Sequence, residues 1–371
     1  MKILFLVNVD WFFVSHRLPI AEELLSKGVE VHLACAFTSK QALLEEIGII
    51  THPLRVTRSG IGILSEGLLF RDIYKTVKTI EPDVIHTVSI KPVVYGSIAS
   101  RIIGIKKVIA SISGLGFVFI DSSCKAQFLR RFVTVLYRIG LDSSHVRVIF
   151  QNEFDKDLFC QNKIVKSGNT ILIRGSGVNL ELFKYSDEPS DKVVVMFMAR
   201  FLKDKGICEF VDAANQLRAQ ATNCKFVLVG DIDTGNRNSI EQSQLDDWIK
   251  LEVVEYWGHT SNPSEVIPKA NIIVLPSYRE GLPKSLMEAS ACGRAIITTD
   301  VPGCRDAIIP GETGLLVPPR NSELLAASIA ALIDDVAMRR RFGVQARELA
   351  ESLFDVRKVV ADHMKIYGLD V

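Results

Sequence analysis

Residues 271–289 read NIIVLPSYREGLPKSLMEA and place a strand, a turn and a helix in direct succession. The run Asn271–Pro276 is short and apolar, which is typical of a buried strand. Gly281 and Pro283 then form a turn that opens a helix. A strand followed at once by a helix is the repeating unit of a parallel sheet that is covered on both faces, so this stretch predicts an α/β domain.

The same alternation runs through both halves of the chain and predicts two doubly wound α/β domains. Helices between the early strands end at Gly28, Gly48 and Gly104, where a helix C-cap tolerates a positive φ. The predicted strands are Ile3–Val9, Val29–Ala36, Ile49–Leu54, Val84–Val88, Lys107–Ile112, Val146–Gln151, Val193–Met198, Lys225–Gly230, Val253–Trp257, Asn271–Pro276, Ala295–Asp300 and Gly314–Val317.

A polar segment that contains a proline, Lys184–Lys192, predicts the boundary between these domains. The first domain then covers residues 1–185 and the second covers residues 186–350. A helical tail follows, and its last part, residues 351–371, is more helix than one domain needs. We therefore expect the C-terminal helix to cross back to the first domain.

The composition fits a folded chain with two cores, since 48% of its 371 residues are hydrophobic and 23% are charged. No apolar run approaches the roughly 20 residues of a transmembrane helix, and no secretory signal follows Met1. These features predict a cytoplasmic protein. The seven cysteines include no C-x-x-C pair, which favours reduced thiols over disulfides or a zinc site.

Charged residues after two predicted strands indicate an anion site, because ligands of open α/β sheets bind beyond the carboxyl ends of the strands. Arg200 and Lys205 follow one strand and open a helix, an arrangement that suits a diphosphate. A solvated loop with exposed cations is the alternative. Glu280 and Glu288 follow another strand and can face the same crevice, although an ordinary helix start would explain either one singly.

Taken together, these residues resemble the retaining glycosyltransferases of GT-B fold in group 1, or family 4. The resemblance is carried by Arg200, Lys205 and the pattern E-G-x-P-x-x-x-x-E from Glu280 to Glu288. It implies two Rossmann-like domains that face a central cleft. Further matching positions are Gly175–Asn179, Phe183, Gly258 and Thr313–Val317.

The resemblance also implies roles for single residues. Arg200 and Lys205 would bind the donor diphosphate and neutralise the leaving nucleotide. Glu280 would contact the donor sugar, Glu288 the ribose, and the base would lie near Tyr256–His259. The predicted catalytic residues are Glu280, Arg200 and Lys205, with His16 as a further candidate. The implied donor-binding residues are Arg200, Lys205, Gly230, Gly258, Glu280, Gly281, Leu282, Pro283 and Glu288.

Residues 86–96 and 113–119 resemble a subgroup that extends polyprenyl-diphosphate-linked sugars. Many members of this subgroup carry a histidine after the fifth strand, where this chain has Ser113 and Gly114. His16, at the end of the first strand, is the best substitute for that histidine as an acceptor contact. The alternative is that His16 is a structural histidine. The implied acceptor residues are Ser15, His16, Lys91, Ser113, Gly114 and Gly116.

A basic region could bring the protein to a membrane that carries the lipid-linked acceptor. Eight Lys and Arg residues face only two Asp residues between Arg101 and Arg147, and the predicted helix 123–141 combines several of these arginines with apolar bulk. Such a helix can lie on an anionic membrane surface. A core helix with its arginines on the wet face is the alternative. Aromatic residues are not interleaved with the charges, which argues against a nucleic acid partner.

The implied reaction is transfer, with retention, from a nucleotide diphosphate sugar to a polyprenyl-diphosphate-linked saccharide. The donor would be a UDP-linked hexose or N-acetylhexosamine, and the product would serve surface polysaccharide, O-antigen or glycoprotein glycan assembly. The enzyme would act at the inner face of the cytoplasmic membrane. No metal ion and no cofactor are implied. The alternatives are a GT-B epimerase or hydrolase, and a non-catalytic subunit that binds a nucleotide sugar.

Overall fold

The structure is a computed structural model, and it describes residues 1–56, 62–115, 124–219, 224–236 and 238–369. The chain forms two compact units. Unit 1 comprises Met1–Ser176 together with Arg357–Val371, and unit 2 comprises Gly177–Val356. Separate hydrophobic clusters fill the two units, as expected for a chain of this length.

Unit 1 is built on a parallel sheet. Its strands are β1 (Lys2–Val9), β2 (Glu30–Ala36), β3 (Ile50–Pro53), β4 (Val84–Val88), β5 (Val108–Ile112), β6 (Val146–Phe150) and β7 (Thr170–Leu172). They lie in the order β3-β2-β1-β4-β5-β6-β7. Every residue of β4 and β5 is buried, because helices cover both faces of the sheet.

The helices of unit 1 connect successive strands. They are α1 (Asp10–His16), α2 (Leu18–Ser26), α3 (Gln41–Glu46), α4 (Ile63–Ile80), α5 (Ile90–Ile103), α6 (Cys124–Leu141) and α7 (Glu153–Gln161). Gly28, Gly48 and Gly104 follow α2, α3 and α5 with φ values of 72°, 103° and 89°. The helix ends predicted at these glycines are therefore confirmed.

Unit 2 repeats the plan with a six-stranded parallel sheet. Its strands are β8 (Val193–Met198), β9 (Cys224–Val229), β10 (Glu255–Tyr256), β11 (Ile272–Leu275), β12 (Ala295–Thr299) and β13 (Gly314–Val317). Its helices are α8 (Ile207–Ala219), α9 (Gln242–Lys250), α10 (Pro263–Val266), α11 (Lys284–Ala291), α12 (Ser322–Asp334) and α13 (Val336–Leu349). The order β10-β9-β8-β11-β12-β13 matches that of the first six strands of unit 1.

This strand order decides where ligands can bind. In each sheet the order reverses once, between β1 and β4 in unit 1 and between β8 and β11 in unit 2. The loops that follow these central strands diverge to opposite sides and leave a crevice at the carboxyl ends. The predicted charged positions after β8 and β11 therefore lie at the switch point of unit 2.

The C-terminal tail consists of several elements. Asp335 separates α12 from α13 and accepts a hydrogen bond from the Met338 backbone at 2.8 Å, which caps α13. A π-helical turn, Ala350–Phe354, then leads to α14 (Val356–Tyr367). Buried residues of α14 pack in the core of unit 1, as predicted for the returning C-terminal helix.

The division between the units falls at residues 176/177, upstream of the segment 184–192. The intervening residues belong to unit 2 because they are bonded to it. The Val178 backbone donates to Phe354 O at 2.7 Å, and Arg347 donates to Phe183 O at 2.9 Å. The fully buried Arg294 holds the carbonyl of Ser186. β7 was not predicted, since three residues carry too little periodicity.

Candidate active site

Lys205 and Glu280 form an ion pair at the switch point of unit 2. Lys205 ends a short 3₁₀ turn after β8, and Glu280 lies in the loop after β11. The Glu280 Oε1 atom also accepts a hydrogen bond from Ser277 Oγ at 2.8 Å. The two charged side chains are 22% and 12% exposed, so water screens this pair less than a surface pair.

Two glycines allow these loops to meet. Gly206, with φ 76°, lies so close to β11 that a Cβ atom would stand 2.2 Å from the carbonyl oxygen of Pro276. At Gly303, with φ 83°, a Cβ atom would stand 2.4 Å from the carbonyl oxygen of Glu280. A side chain at either position would displace the backbone beside Lys205 or Glu280, so glycine is required for this geometry.

Arg200 is paired with a different acid. Its guanidinium donates to Asp233 Oδ2 at 2.6 Å, and the Arg200 side chain is 44% exposed. Asp231 and Asp233 follow β9 with the D-x-D spacing that can hold a metal ion, a spacing that the expectation of a metal-free site overlooked. Among the residues that the structure describes, no group of three or more His, Cys, Asp and Glu side chains could hold a metal.

Glu288 lies inside α11, and the side chain is almost fully buried. Burial raises the pKa of its carboxyl group, and Lys284, whose Nζ lies 3.4 Å from Oε1, offsets part of that effect. Leu282 and Pro283, which precede the helix, are buried as well. The structure thus brings Lys205 to Glu280, whereas Arg200 and Glu288 contact other partners. A common donor site for all four residues stays a prediction.

The predicted base region lies beyond β9 and β10. The backbone of Gly230 donates to Gly258 O at 3.0 Å, and the hydroxyl of Tyr256 donates to Gly230 O at 3.3 Å. The ring of Tyr256 packs edge-on against Phe201, with centroids 5.7 Å apart. These contacts place a partly exposed aromatic ring next to the loop that begins with Arg200.

In unit 1, the predicted acceptor residues after β1 lie on α1. The imidazole of His16 stacks on the ring of Phe12, with centroids 4.1 Å apart and planes inclined by 8°. Ser15 is exposed, and His16 is half-buried. Lys91, in the first turn of α5, donates to Glu66 Oε1 at 2.6 Å. Lys91 therefore already has a carboxylate partner on α4.

Ser113 and Gly114 follow β5, and Gly114 has φ 121°. Gly116 lies outside the described residues. On α6, Tyr137 and Leu141 are buried, whereas Val135 and Ile139 are exposed. The described part of the helix thus packs one side in the core and exposes two apolar side chains. No helix in the described parts of the chain is long and apolar enough to cross a membrane.

Two buried charges near His16 were missed in the sequence. Asp10 accepts hydrogen bonds from the backbones of Thr38 and Lys40, both at 2.8 Å. Burial would raise the pKa of its carboxyl group, but the hydrogen bond from the Thr38 hydroxyl at 2.7 Å, together with those from the backbones of Lys40, Thr38 and Ser39, outweighs burial and lowers it. Arg17 donates to the carbonyl of His16 at 2.9 Å, and burial lowers its pKa to about 10. The position of Asp10 directly after an apolar run was the available signal.

Comparisons with known proteins agree with this architecture. Residues 179–349 match the family described as glycosyl transferases group 1, and residues 2–152 match the family described as glycosyl transferase 4-like. The chain is 28% identical over 380 residues to N,N'-diacetylbacillosaminyl-diphospho-undecaprenol alpha-1,3-N-acetylgalactosaminyltransferase of Campylobacter jejuni, covering 99% of this chain and 98% of that one. It is 24% identical to the putative glycosyltransferase EpsD of Bacillus subtilis, covering 96% and 94%.

A solved structure shares the fold over the full length. Anabaena HepE, crystallised with UDP and glucose, superposes with a TM-score of 0.81 at 22% sequence identity and covers 99% of both chains. Sucrose-phosphate synthase of Thermosynechococcus elongatus superposes with a TM-score of 0.80 at the same identity. The chain therefore has the two Rossmann-like domains that the resemblance implied.

Proposed function

Because the chain belongs to the group 1 glycosyltransferases, we propose that it moves a hexose or N-acetylhexosamine from a UDP sugar to a polyprenyl-diphosphate-linked saccharide. The observation that carries this proposal is the Lys205–Glu280 pair at the switch point of unit 2. An ammonium and a carboxylate at the ends of two neighbouring strands match the two parts of such a donor, a diphosphate and a sugar with hydroxyl groups.

The pair has a direct chemical use. When a donor binds, its diphosphate oxygens compete with Glu280 for Lys205, and the sugar hydroxyls can donate to the carboxylate that Lys205 releases. Lys205 and Arg200 then stabilise the negative charge that develops on the leaving nucleotide. We assign Glu288 to the hydroxyl groups of the ribose. We propose same-face substitution with retention, in which the departing diphosphate accepts the proton of the incoming hydroxyl.

We assign the acceptor saccharide to unit 1 and the nucleotide sugar donor to unit 2. His16, with Ser15 on the same helix, is our candidate contact for the acceptor. The exposed apolar residues of α6, Val135 and Ile139, lie near the exposed Arg131 on the helix surface. This combination suits reversible binding to the anionic inner face of the cytoplasmic membrane. The Campylobacter relative, whose name specifies a diphospho-undecaprenol substrate, supports such an acceptor.

The test is a panel of nucleotide sugars with one polyprenyl-diphosphate saccharide, measured with and without the lipid. Sugar transfer that requires the lipid is the expected result. Release of free sugar without lipid would instead identify a hydrolase, and absence of both reactions would identify a binding subunit. Flotation with anionic and neutral vesicles tests the membrane assignment separately.

A further inference from the structure

We propose that Tyr278 is a positioning residue that holds the Glu280 loop against the Lys205 turn and so sets the distance between the two charged groups. This inference rests on the proposed function of the same site. Tyr278 lies two residues before Glu280 in the loop after β11. Its role follows from its contacts.

The first contacts join the two loops directly. The Tyr278 backbone donates to the carbonyl of Asp204 at 2.9 Å, and Asp204 is the neighbour of Lys205. The Tyr278 hydroxyl donates to the carboxylate of Glu209, in the first turn of α8. One residue therefore bonds to the chain on both sides of Gly206, where the backbone already touches β11.

A third contact covers the ring. The guanidinium carbon of Arg320 lies 4.6 Å from the centroid of the Tyr278 ring, in cation–π geometry. Arg320 follows β13 and has φ 60°, a conformation that residues with a Cβ atom seldom adopt. The ring is thus held between α8 and the segment after β13, and the loop has little freedom to move away from Lys205.

The hydroxyl of Tyr278 is suited to this task. Burial raises its pKa, and the Glu209 carboxylate raises it further, so the group remains a neutral donor at physiological pH. Glu209 Oε2 is buried and has no hydrogen-bond partner in the described part of the chain. Tyr278 is therefore the main hydrogen-bond donor to Glu209, and loss of its hydroxyl releases both side chains.

This coupling reaches the chemistry because catalysis depends on where Lys205 and Glu280 stand. A displacement of about 1 Å in a group that contacts the donor can cost up to about a hundredfold in rate. Tyr278 and Asp204 are close in sequence to Glu280 and Lys205, so a change in their contact moves both charged groups. Tyr278 itself need not touch the donor.

The test compares Tyr278→Phe, Glu209→Leu and Glu209→Gln in the transfer assay with lipid acceptor. We expect Tyr278→Phe and Glu209→Leu each to lower kcat/KM about tenfold, as expected for loss of a hydrogen bond to a charged group. Their combination should cost no more than either change alone, because both remove the same bond. Glu209→Gln keeps a carbonyl acceptor and should stay within about threefold of the parent.

A second readout separates positioning from general stability. If Tyr278 acts through Lys205, then Tyr278→Phe should change kcat/KM less than about twofold in a Lys205→Ala background. Tyr185→Phe is the matched control, because Tyr185 lies in the same unit, beside Gly293 and away from this loop. We expect the control to match the parent.

Full activity of Tyr278→Phe, or losses that multiply in the double variant and in the Lys205→Ala background, would overturn the positioning role. Absence of transfer and of nucleotide sugar binding in the unmodified protein would instead overturn the proposed function. The two failures are therefore distinguishable.

Discussion

Replacement of Lys205 by methionine tests the candidate site most directly, because it removes one charge and keeps most of the aliphatic side chain. Two unit charges about 4 Å apart attract by roughly 4 kcal/mol at the effective dielectric of a partly shielded site. Lys205 and its partner Glu280 are shielded to this degree, with 22% and 12% of their side chains exposed. Part of this attraction is offset by the cost of removing the charged groups from water. We therefore expect Lys205 to stabilise the negative charge of the transition state by about 2.7 kcal/mol.

This energy corresponds to about a hundredfold loss in kcat/KM, since 1.36 kcal/mol is tenfold. The assay is transfer of labelled sugar from the nucleotide donor to the polyprenyl-diphosphate saccharide, with kcat and KM for the donor determined separately. Lys203→Met is the control, because Lys203 is an exposed residue of the same turn. It should retain the activity of the parent.

Thermal unfolding of both variants shows whether the fold survives. A folded Lys205→Met protein with full turnover would refute the reasoning, because it would mean that the charge at this strand end does not act on the donor. Glu280→Gln extends the same test to the carboxylate. We expect at least about a tenfold loss in turnover, because an amide is a weaker acceptor for the sugar hydroxyls.

Three further predictions concern stability. Burial lowers the pKa of His363 to about 3 in the folded protein. As the pH falls below about 6.5, the imidazole is therefore protonated in the unfolded chain but stays neutral in the folded one. The free energy of unfolding should consequently be lower by roughly 2 kcal/mol at pH 5 than at neutral pH. Urea unfolding of the parent and His363→Phe should differ in this pH dependence, and identical curves would contradict it. Arg339→Met leaves the partly buried Glu188, which Arg339 contacts at 2.6 Å, with Arg340 and Asn271 as partners and should cost about 3 kcal/mol in denaturant unfolding, whereas a change below about 1 kcal/mol would count against this pair. Gly206→Ala should lower the melting temperature and the activity together, since its Cβ would meet the Pro276 carbonyl; an unchanged protein would show that the loops can separate.

Much of the fold could be predicted from periodicity. The strands Val84–Val88, Val193–Met198 and Gly314–Val317 were predicted with their observed ends, because each is a short run rich in apolar and β-branched residues. β10 was predicted too long, at Val253–Trp257 instead of Glu255–Tyr256. Its ends depend on pairing with β9 alone, and an edge strand has only one neighbour to define it.

The candidate site was only partly predictable, because the sequence indicates where strands end but not which side chains meet there. The strand-turn-helix order places Lys205 and Glu280 at carboxyl ends of neighbouring strands, so a common location followed from the sequence. The partners did not. Arg200 is bonded to Asp233 and Tyr278 to Glu209, and no local pattern in the sequence pairs these residues.

The sequence by itself determined the order of strands and helices, the two-domain plan and the family, because local periodicity and short motifs are properties of adjacent residues. Only the tertiary structure decided which charges meet, how α14 enters unit 1 and what holds Tyr278. These contacts join residues as far apart as Lys205 and Glu280, or His86 and Tyr367. Their distances depend on the packing of whole elements, which no local pattern in the chain contains.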